Sequence, residues 1–173
     1  YAKEKKAHDI ICEYVEYEEG TYDQTAYSAV MQKKTVCAGY AKLYSMLTNA
    51  AGLETVSVTS ATHGWNRTKL GNQWYNVDLT WDDGTPISYQ FFNKSDATME
   101  KYDGSSRESH TQNHYYDGVA PGCESDYGAS VTVVDAEQIH ADTATVVLDL
   151  VNNQSGQIRT SFVPANVTDK RLG

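Results

Sequence analysis

Between residues 37 and 81 the spacing of apolar side chains changes once, from the three- and four-residue steps of a helix to the alternation of a strand. The segment VCAGYAKLYSMLTNAAGL predicts a helix that begins at Cys37 and ends in a left-handed cap at Gly52. Three strand segments follow it: LETVSVTSA, then HGWNRTKL and QWYNVDLTW on either side of Gly71-Asn72. The pattern therefore predicts a helix followed by an antiparallel hairpin.

Cys37 stands where this helix is predicted to begin. The first N–H groups of a helix have no partner within the helix, and with the helix dipole they stabilise a negative charge. A thiol reacts as its thiolate, so a helix start favours a nucleophilic cysteine. The backbone N–H of Cys37 is also placed where an oxyanion forms after attack on an amide. The position predicts acyl-transfer chemistry at a thiol.

The hairpin brings two further polar residues together. If Gly71-Asn72 is a two-residue loop, then Leu70 pairs with Gln73, and His63 and Asp78 become diagonal neighbours on one face. Their Cα atoms are then roughly 7–8 Å apart, a span that two side chains can bridge. A carboxylate on one ring nitrogen fixes the imidazole tautomer and leaves the other nitrogen to exchange a proton with a thiol. Cys37, His63 and Asp78 are therefore the candidate catalytic residues.

These motifs, VCAGYAKLYSMLTNAAGL, HGWN and QWYNVDLTWDD, resemble the bacterial transglutaminase-like domain family, which shares a papain-like α+β core. The similarity runs from about Tyr14 to Asp83. It implies that Cys37 is the nucleophile, His63 the base and Asp78 the orienting acid. It also implies a nucleophile helix packed on an antiparallel sheet. We expect no cofactor and no metal, because the acidic site of metal-dependent animal transglutaminases is not recognisable in this sequence.

Two aromatic residues are candidates for contact with substrate, because the proposed fold places both near the predicted site. Tyr27 stands in YDQTAYSAVMQKKTVCAGY, where the family usually has an aromatic residue, and is predicted to be an oxyanion donor. Trp65 shares the His63 face of the hairpin and is predicted to be a groove wall.

The flanking segments predict a surrounding framework. An amphipathic helix is predicted from Ala2 to Glu19, ending at Gly20, and a second short helix after Asp23. A long loop region is predicted over residues 82–130, interrupted by a short helix near residues 96–101. SVTVV and ATVVLDLV predict two strands that extend the sheet. We therefore expect a transglutaminase-like domain over residues 1–130 and a C-terminal β-strand extension over residues 131–173.

Composition limits the partners. The formal charge is −9 and the pI is near 4.9, which argues against nucleic acid and anionic membranes. No apolar stretch reaches the roughly 20 residues that span a bilayer, so membrane insertion is not expected. The 13 tyrosines, together with many Asn, Thr, Gly and Ser residues, favour an extracellular or cell-surface location. The sequence begins at Tyr1 rather than Met, and we expect a signal or upstream region to precede it.

Other polar residues have simpler interpretations. Cys12 and Cys123 are the natural pair for a disulfide, which would leave Cys37 as the free thiol. The spacing of a second group matches no tight zinc pattern, so we interpret it as part of a polar surface loop. That group contains His110, His114, Asp117 and Cys123. Asp82 and Asp83, which follow Asp78, lack the alternation of a calcium loop and predict a strand-ending turn.

The sequence thus predicts a cysteine enzyme that forms a thioester from a carboxamide or peptide carbonyl and passes the acyl group to water or to an amine. A water-accessible groove would favour hydrolysis, and a dry tunnel lined by aromatic residues would favour crosslinking. The expected substrates are proteins or peptides, including cell-wall peptides. The alternative is a binding or scaffold module of a larger cell-surface protein that keeps this fold without turnover. The oligomeric state is left open.

Overall fold

The chain divides into two units, Tyr1–Tyr127 and Gly128–Gly173. The computed structural model describes residues 1–103, 110–116 and 118–128 with their side chains, and the backbone of strands Thr145–Leu150 and Ile158–Val163. No helix in these described ranges combines the length and apolar character needed to cross a bilayer.

The described helices are α1 (Ala2–Tyr14), α2 (Cys37–Ala50), α3 (Leu79–Asp82) and α4 (Asp96–Asp103), with a π-helical turn at Ser28–Gln32 and a 3₁₀ turn at His114–Tyr116. The strands are β1 (Glu16–Tyr17), β2 (Lys34–Thr35), β3 (Glu54–Thr59), β4 (Gly64–Leu70), β5 (Gln73–Val77), β6 (Phe92–Lys94), β7 (Thr145–Leu150) and β8 (Ile158–Val163). Helices pack against an antiparallel sheet, and the predicted α+β class is confirmed.

α1 is shorter than its predicted span. Val15 is buried and adopts an extended conformation, so the helix ends at Tyr14, five residues before Glu19. The next residues form β1, which pairs in parallel with β2. The backbone N–H of Glu16 donates to the carbonyl of Lys33 at 2.9 Å, and this bond ties the start of the chain to the segment that leads into α2.

The main sheet has four antiparallel strands in the order β3-β4-β5-β6. Leu70 pairs with Gln73 across the hairpin, and Gly71 has the positive φ of 62° that a tight turn requires. The predicted register is therefore confirmed along β4 and β5. β6 lies within the predicted loop region. Its three residues include Asn93, which has a φ of 57°, and so short a segment shows no strand periodicity.

α2 covers one face of this sheet. The predicted helix is confirmed, and Gly52 ends it with a φ of 85°. Its buried side chains enter a core shared with α1, β5 and β6, which contains Ile11, Tyr40, Leu43, Tyr44, Val77, Leu79 and Phe92. The amide of Asn66 on β4 donates to the carbonyl of Ala41 at 2.9 Å, so a polar contact also joins the helix to the sheet.

The C-terminal unit contains an antiparallel pair, β7 with β8. β7 lies within the predicted ATVVLDLV strand, and β8 follows it in the C-terminal tail. The other predicted strand, SVTVV, lies outside the described residues. β7 and β8 pair with each other in a two-stranded sheet, and the predicted C-terminal extension over residues 131–173 stays a prediction.

The three cysteines are all free thiols, and the predicted bridge between Cys12 and Cys123 is absent. Cys12 is buried at the end of α1, where its Sγ donates to the carbonyl of Leu79 at 3.9 Å. Cys123 is also buried, and its backbone N–H donates to Asp96 at 3.0 Å. Each thiol therefore has its own structural environment.

Candidate active site

The segment before α2 sets where the helix begins. The carbonyl of Asp23 accepts the backbone N–H of Val36 at 3.0 Å and also the hydroxyl of Thr35. Ser28 in turn donates to the Thr35 hydroxyl at 2.9 Å. These bonds hold the chain extended through Val36, and Cys37 becomes the first helical residue.

Gly39 allows this approach. A Cβ at Gly39 would stand 1.7 Å from the hydroxyl oxygen of Thr35 and 3.0 Å from the carbonyl oxygen of Asp23. No side chain fits there without displacing the segment that carries the bonds described above. The glycine of the CAGY motif is therefore a packing requirement for the position of Cys37.

The start of α2 favours an anion at Cys37. Within α2, the first N–H described as donating to a backbone carbonyl is that of Gly39, to Val36 at 2.9 Å. The N–H groups of Cys37 and Ala38 are thus available to a negatively charged atom, and the helix dipole adds to this effect. The Cys37 side chain is partly exposed.

His63 and Asp78 form a buried pair. His63 immediately precedes β4, and Asp78 follows β5 and caps α3. The distance from Nε2 of His63 to Oδ2 of Asp78 is 2.6 Å. The other carboxylate oxygen accepts the backbone N–H groups of Thr80 at 2.9 Å and Trp81 at 3.3 Å. The hairpin register thus brings the two residues together, although Asp78 acts as a helix cap rather than as a strand residue.

Asp78 is held in its ionised form. Burial alone would raise the pKa of this carboxyl, but the charge of His63 and the hydrogen bonds that Asp78 accepts outweigh burial and lower the pKa to about 2. A permanently charged carboxylate next to Nε2 fixes the orientation of the His63 ring.

Cys37 and His63 line one cavity of about 360 Å³. The chain next to Cys37 packs against the chain next to His63: a Cβ at Gly64 would lie 3.8 Å from Cα of Ala38. The lining is polar and small in side-chain volume: Gln24, Val36, Cys37, Ala38, Thr59, Ser60, Ala61, Thr62, His63 and Gly64. None of these residues is Phe, Tyr or Trp.

Trp65 lies behind the imidazole rather than in a groove. Its ring stacks on that of His63 at a centroid distance of 6.2 Å, and its indole N–H donates to Asn76 at 2.8 Å. Only 1% of the residue is exposed. The predicted groove wall is therefore corrected to a buried support for His63, because a side chain without exposed surface cannot contact a substrate directly.

Tyr27 does not belong to the lining of the cavity. It is 59% exposed, and its ring meets the edge of Tyr22 at 6.3 Å. Its position gives no support to the predicted role as oxyanion donor. Gln24 lines the cavity instead, and its carboxamide is a donor of the required kind. No periodicity or motif singled out Gln24 in the sequence.

His110 is the principal residue that sequence reasoning missed. It is 3% exposed, so the interpretation as part of a polar surface loop is wrong for this residue. Its Nε2 lies 3.0 Å from Oδ2 of Asp78, and its Nδ1 lies 2.7 Å from Asp103. Of the other residues in that group, His114 is exposed, Cys123 is buried, and residue 117 lies outside the described ranges. The surrounding sequence has no periodicity that could have revealed the burial of His110.

His63, Asp78 and His110 could together offer three ligand atoms to a metal ion, since these atoms lie within 4.8 Å of one another. The distance of 2.6 Å from His63 to Asp78 is nevertheless that of a charge-assisted hydrogen bond. Ligands of a tetrahedral zinc ion with bonds of 2.0–2.1 Å stand roughly 3.3 Å apart. The donor spacing therefore fits a hydrogen-bonded network better than a metal centre.

The carboxylates considered for a calcium turn also have protein partners. Asp82 accepts the backbone N–H of Phe91 at 3.0 Å and lies 3.2 Å from Nε2 of His8. Asp83 accepts the hydroxyl of Tyr40. The predicted strand-ending turn is instead the short helix α3.

Comparison with known proteins agrees with this description of the first half of the chain. Residues 1–79 match the model of the transglutaminase-like superfamily. This part of the chain is similar to a transglutaminase-like domain. The match covers less than half of the 173 residues and includes Cys37, His63 and Asp78, whereas His110 lies beyond it.

Two solved structures are similar to part of the chain. One is a TGase, with 14% sequence identity and a TM-score of 0.41, which covers 44% of this chain and 25% of its own. The other is a proposed cysteine protease from Cytophaga hutchinsonii, with 22% identity and a TM-score of 0.40, which covers 46% of this chain and 31% of its own. The alignments thus span about a quarter to a third of those proteins. No curated protein sequence matches the chain.

Proposed function

We propose that this chain is a cysteine-dependent acyl-transfer enzyme that hydrolyses peptide or carboxamide bonds. The observation that carries the proposal is the cavity shared by Cys37 and His63, because the ring of His63 is already fixed by Asp78 at 2.6 Å. A thiol at a helix start and an oriented imidazole are the two groups that thioester chemistry needs. The match of residues 1–79 to the transglutaminase-like superfamily supports the same chemistry. That superfamily also includes non-catalytic members.

The proposed mechanism assigns one step to each group. Nε2 of His63 is committed to Asp78, so Nδ1 is the nitrogen that takes the thiol proton. Sγ of Cys37 then attacks the substrate carbonyl, and its carbon–nitrogen bond breaks as His63 returns the proton to the leaving amine. Water attacks the resulting thioester with His63 as base, which releases the acid and restores the thiol.

The oxyanion of each tetrahedral intermediate needs donors near Cys37. The backbone N–H groups at the start of α2 are suitably placed, and the side-chain amide of Gln24 reaches the same cavity. These groups take the role that the sequence assigned to Tyr27.

The cavity favours water as the acyl acceptor. Thr59, Ser60 and Thr62 bring hydroxyl groups to it, and the described lining has no aromatic wall that would exclude water. Hydrolysis is therefore preferred over crosslinking to an amine. We further propose protein or peptide substrates, including cell-wall peptides, encountered outside the cell.

The test is turnover of a fluorescently labelled casein, followed in parallel by peptide release and by incorporation of a dansylated amine. We expect peptide release by the native chain and none by Cys37→Ala. Cys123→Ala is the matched control, since it removes a buried thiol that is not part of the cavity. Release that persists in Cys37→Ala, at an unchanged circular dichroism spectrum, would exclude the thiol mechanism. Amine incorporation without peptide release would replace hydrolysis by crosslinking.

A further inference from the structure

His110 extends the pair of His63 and Asp78 into a chain of four alternating rings and carboxylates. Oδ2 of Asp78 is shared, at 2.6 Å from Nε2 of His63 and 3.0 Å from Nε2 of His110. Asp103 closes the chain on the other side, 2.7 Å from Nδ1 of His110. It also accepts the backbone N–H of His110 at 2.8 Å, so its carboxylate holds the residue at two points.

The hydrogen bonds determine how many protons His110 carries. Each ring nitrogen faces a carboxylate oxygen, and a carboxylate can only accept. A neutral imidazole has a single N–H, so one of its two contacts would set a lone pair against an anionic oxygen. Both contacts are satisfied only when both nitrogens are protonated.

The surroundings keep this cation fixed and away from solvent. The ring of His110 meets Trp81 edge to face at 4.6 Å and Trp65 at 5.1 Å, and it stacks with Phe91 at 6.3 Å. These contacts fix the orientation of the imidazole ring. His110 has no exposed side-chain surface, so water does not screen it from its neighbours.

We propose that His110, held as an imidazolium between Asp78 and Asp103, is a positioning residue that sets the pH range over which His63 exchanges its proton. The inference rests on the proposed function, because the protonation of His63 matters only if Cys37 uses it. Two effects act in the same direction. A positive ring 5.2 Å from the ring of His63 disfavours a second positive charge there. The shared oxygen of Asp78 is also a weaker acceptor for His63 than an undivided one.

The consequence is a more readily released proton. A buried carboxylate favours the protonated form of the histidine that it contacts. The charge of His110 counters that of Asp78 and keeps both forms of His63 accessible.

Other charged groups lie on the far side of His110. A cavity of about 330 Å³ borders it there, and its lining includes Arg67, Asp96, Glu100 and His114. Arg67 pairs with Asp96 at 2.7 Å. We expect the proton range of His63 to depend chiefly on Asp78 and His110, which contact its ring, and on Cys37, which shares its cavity.

The test is NMR of the full chain labelled with ¹⁵N-histidine, with each of the five imidazoles assigned from its own His→Gln variant. We expect His110 to show two protonated nitrogens at pH 7. In His110→Gln, the midpoint of the His63 titration should rise by roughly one to two pH units, since a like charge about 5 Å away is removed. A His110 with one unprotonated nitrogen would overturn the proposal, and so would an unchanged His63 midpoint.

A matched control comes from α1. His8 is also buried between two carboxylates, at 3.3 Å from Asp9 and 3.2 Å from Asp82, but it has no described bond to Asp78. His8→Gln should leave the His63 midpoint unchanged, and an equal shift in both variants would reduce the effect to general loosening of the fold.

Asp103→Asn gives a second route if His110→Gln does not fold. This variant keeps the ring of His110 but removes one of the two carboxylates whose contacts require a protonated ring nitrogen. The midpoint of the His63 titration should again rise, and no rise would contradict the proposal. Failure of the proposed function has a different signature. Ordinary thiol reactivity of Cys37 in the native chain would exclude the enzyme while leaving these NMR midpoints as expected.

Discussion

Asp78→Asn separates the two tasks of the carboxylate, which are to stabilise the fold and to orient His63. The substitution keeps the shape of the side chain and one acceptor oxygen. The second carboxylate oxygen, which accepts hydrogen bonds, is replaced by an NH₂ group, which can only donate them. If that NH₂ replaces Oδ2, it faces the rings of His63 at 2.6 Å and His110 at 3.0 Å. At least one buried donor then loses its acceptor.

The expected loss of stability follows from the ionisation of Asp78. Its pKa lies at about 2 instead of the ordinary 3.8, which corresponds to about 2 kcal/mol of folding free energy at neutral pH. An unpaired buried donor adds about 1 kcal/mol or more. We therefore expect Asp78→Asn to lower the free energy of unfolding at pH 7 by about 3 kcal/mol.

The pH dependence gives the sign of this effect. A carboxyl whose pKa is lowered by folding stabilises the native state above its unfolded pKa, and the contribution is lost as the pH falls through the folded pKa. The native chain should thus lose about 2 kcal/mol between pH 4 and pH 2 through Asp78. The variant should lack this component.

The assay is urea denaturation followed by far-UV circular dichroism at pH 7, pH 4 and pH 2.5, combined with the rate of casein hydrolysis. We expect the rate to fall by roughly 10²–10⁴-fold, because the ring of His63 loses its fixed tautomer. Asp82→Asn is the control. Asp82 is equally buried in α3 but pairs with His8, so its loss should lower stability and leave hydrolysis within a few-fold of native. Native stability of Asp78→Asn at pH 7, or native hydrolysis by a folded variant, would refute the reasoning.

Three further predictions use other parts of the molecule. Gly39→Ala should lower the free energy of unfolding by about 2 kcal/mol and slow alkylation of the Cys37 thiol, because its Cβ would lie 1.7 Å from Thr35. Gly20→Ala is the control, since no atom lies within 4 Å of a Cβ there, and equal effects in both variants would contradict the packing argument. Burial raises the pKa of Glu4 to about 6, so the stability of the native chain should fall as the pH rises from about 4.5 to 6. In urea denaturation, Glu4→Gln should be about 2 kcal/mol more stable than the native chain at pH 8 and no more stable at pH 4. An equal gain in stability at both pH values would contradict this reasoning. Dialysis against a chelator should leave hydrolysis unchanged, and activity restored only by added zinc would show that the buried histidines bind metal.

The sequence predicted those features that depend on neighbouring residues. The helix from Cys37 to its cap at Gly52 followed from apolar spacing, and the register of the hairpin followed from the length of its turn. The contact between His63 and Asp78 followed from that register. Its detail differs, since Asp78 caps α3 at the end of β5.

The features that sequence reasoning missed depend on long-range packing. His110 lies 32 residues after Asp78 in a stretch without periodicity, and its burial is created by the aromatic rings around it. Trp65 was assigned to a groove because a strand face alone does not reveal which side is covered. β1 and β6 were missed because two- and three-residue strands are defined by their partners rather than by their own pattern.

The most direct measurement of the central claim is the pH profile of iodoacetamide alkylation of each cysteine in the native chain, read by mass spectrometry. Cys12 and Cys123 serve as internal references, because burial raises the pKa of both thiols, that of Cys123 to about 12. The account predicts that Cys37 alone is alkylated, and that its pH profile changes in His63→Ala. A Cys37 that reacts as an ordinary thiol, with the same profile in His63→Ala, would contradict the account and favour a binding or scaffold role.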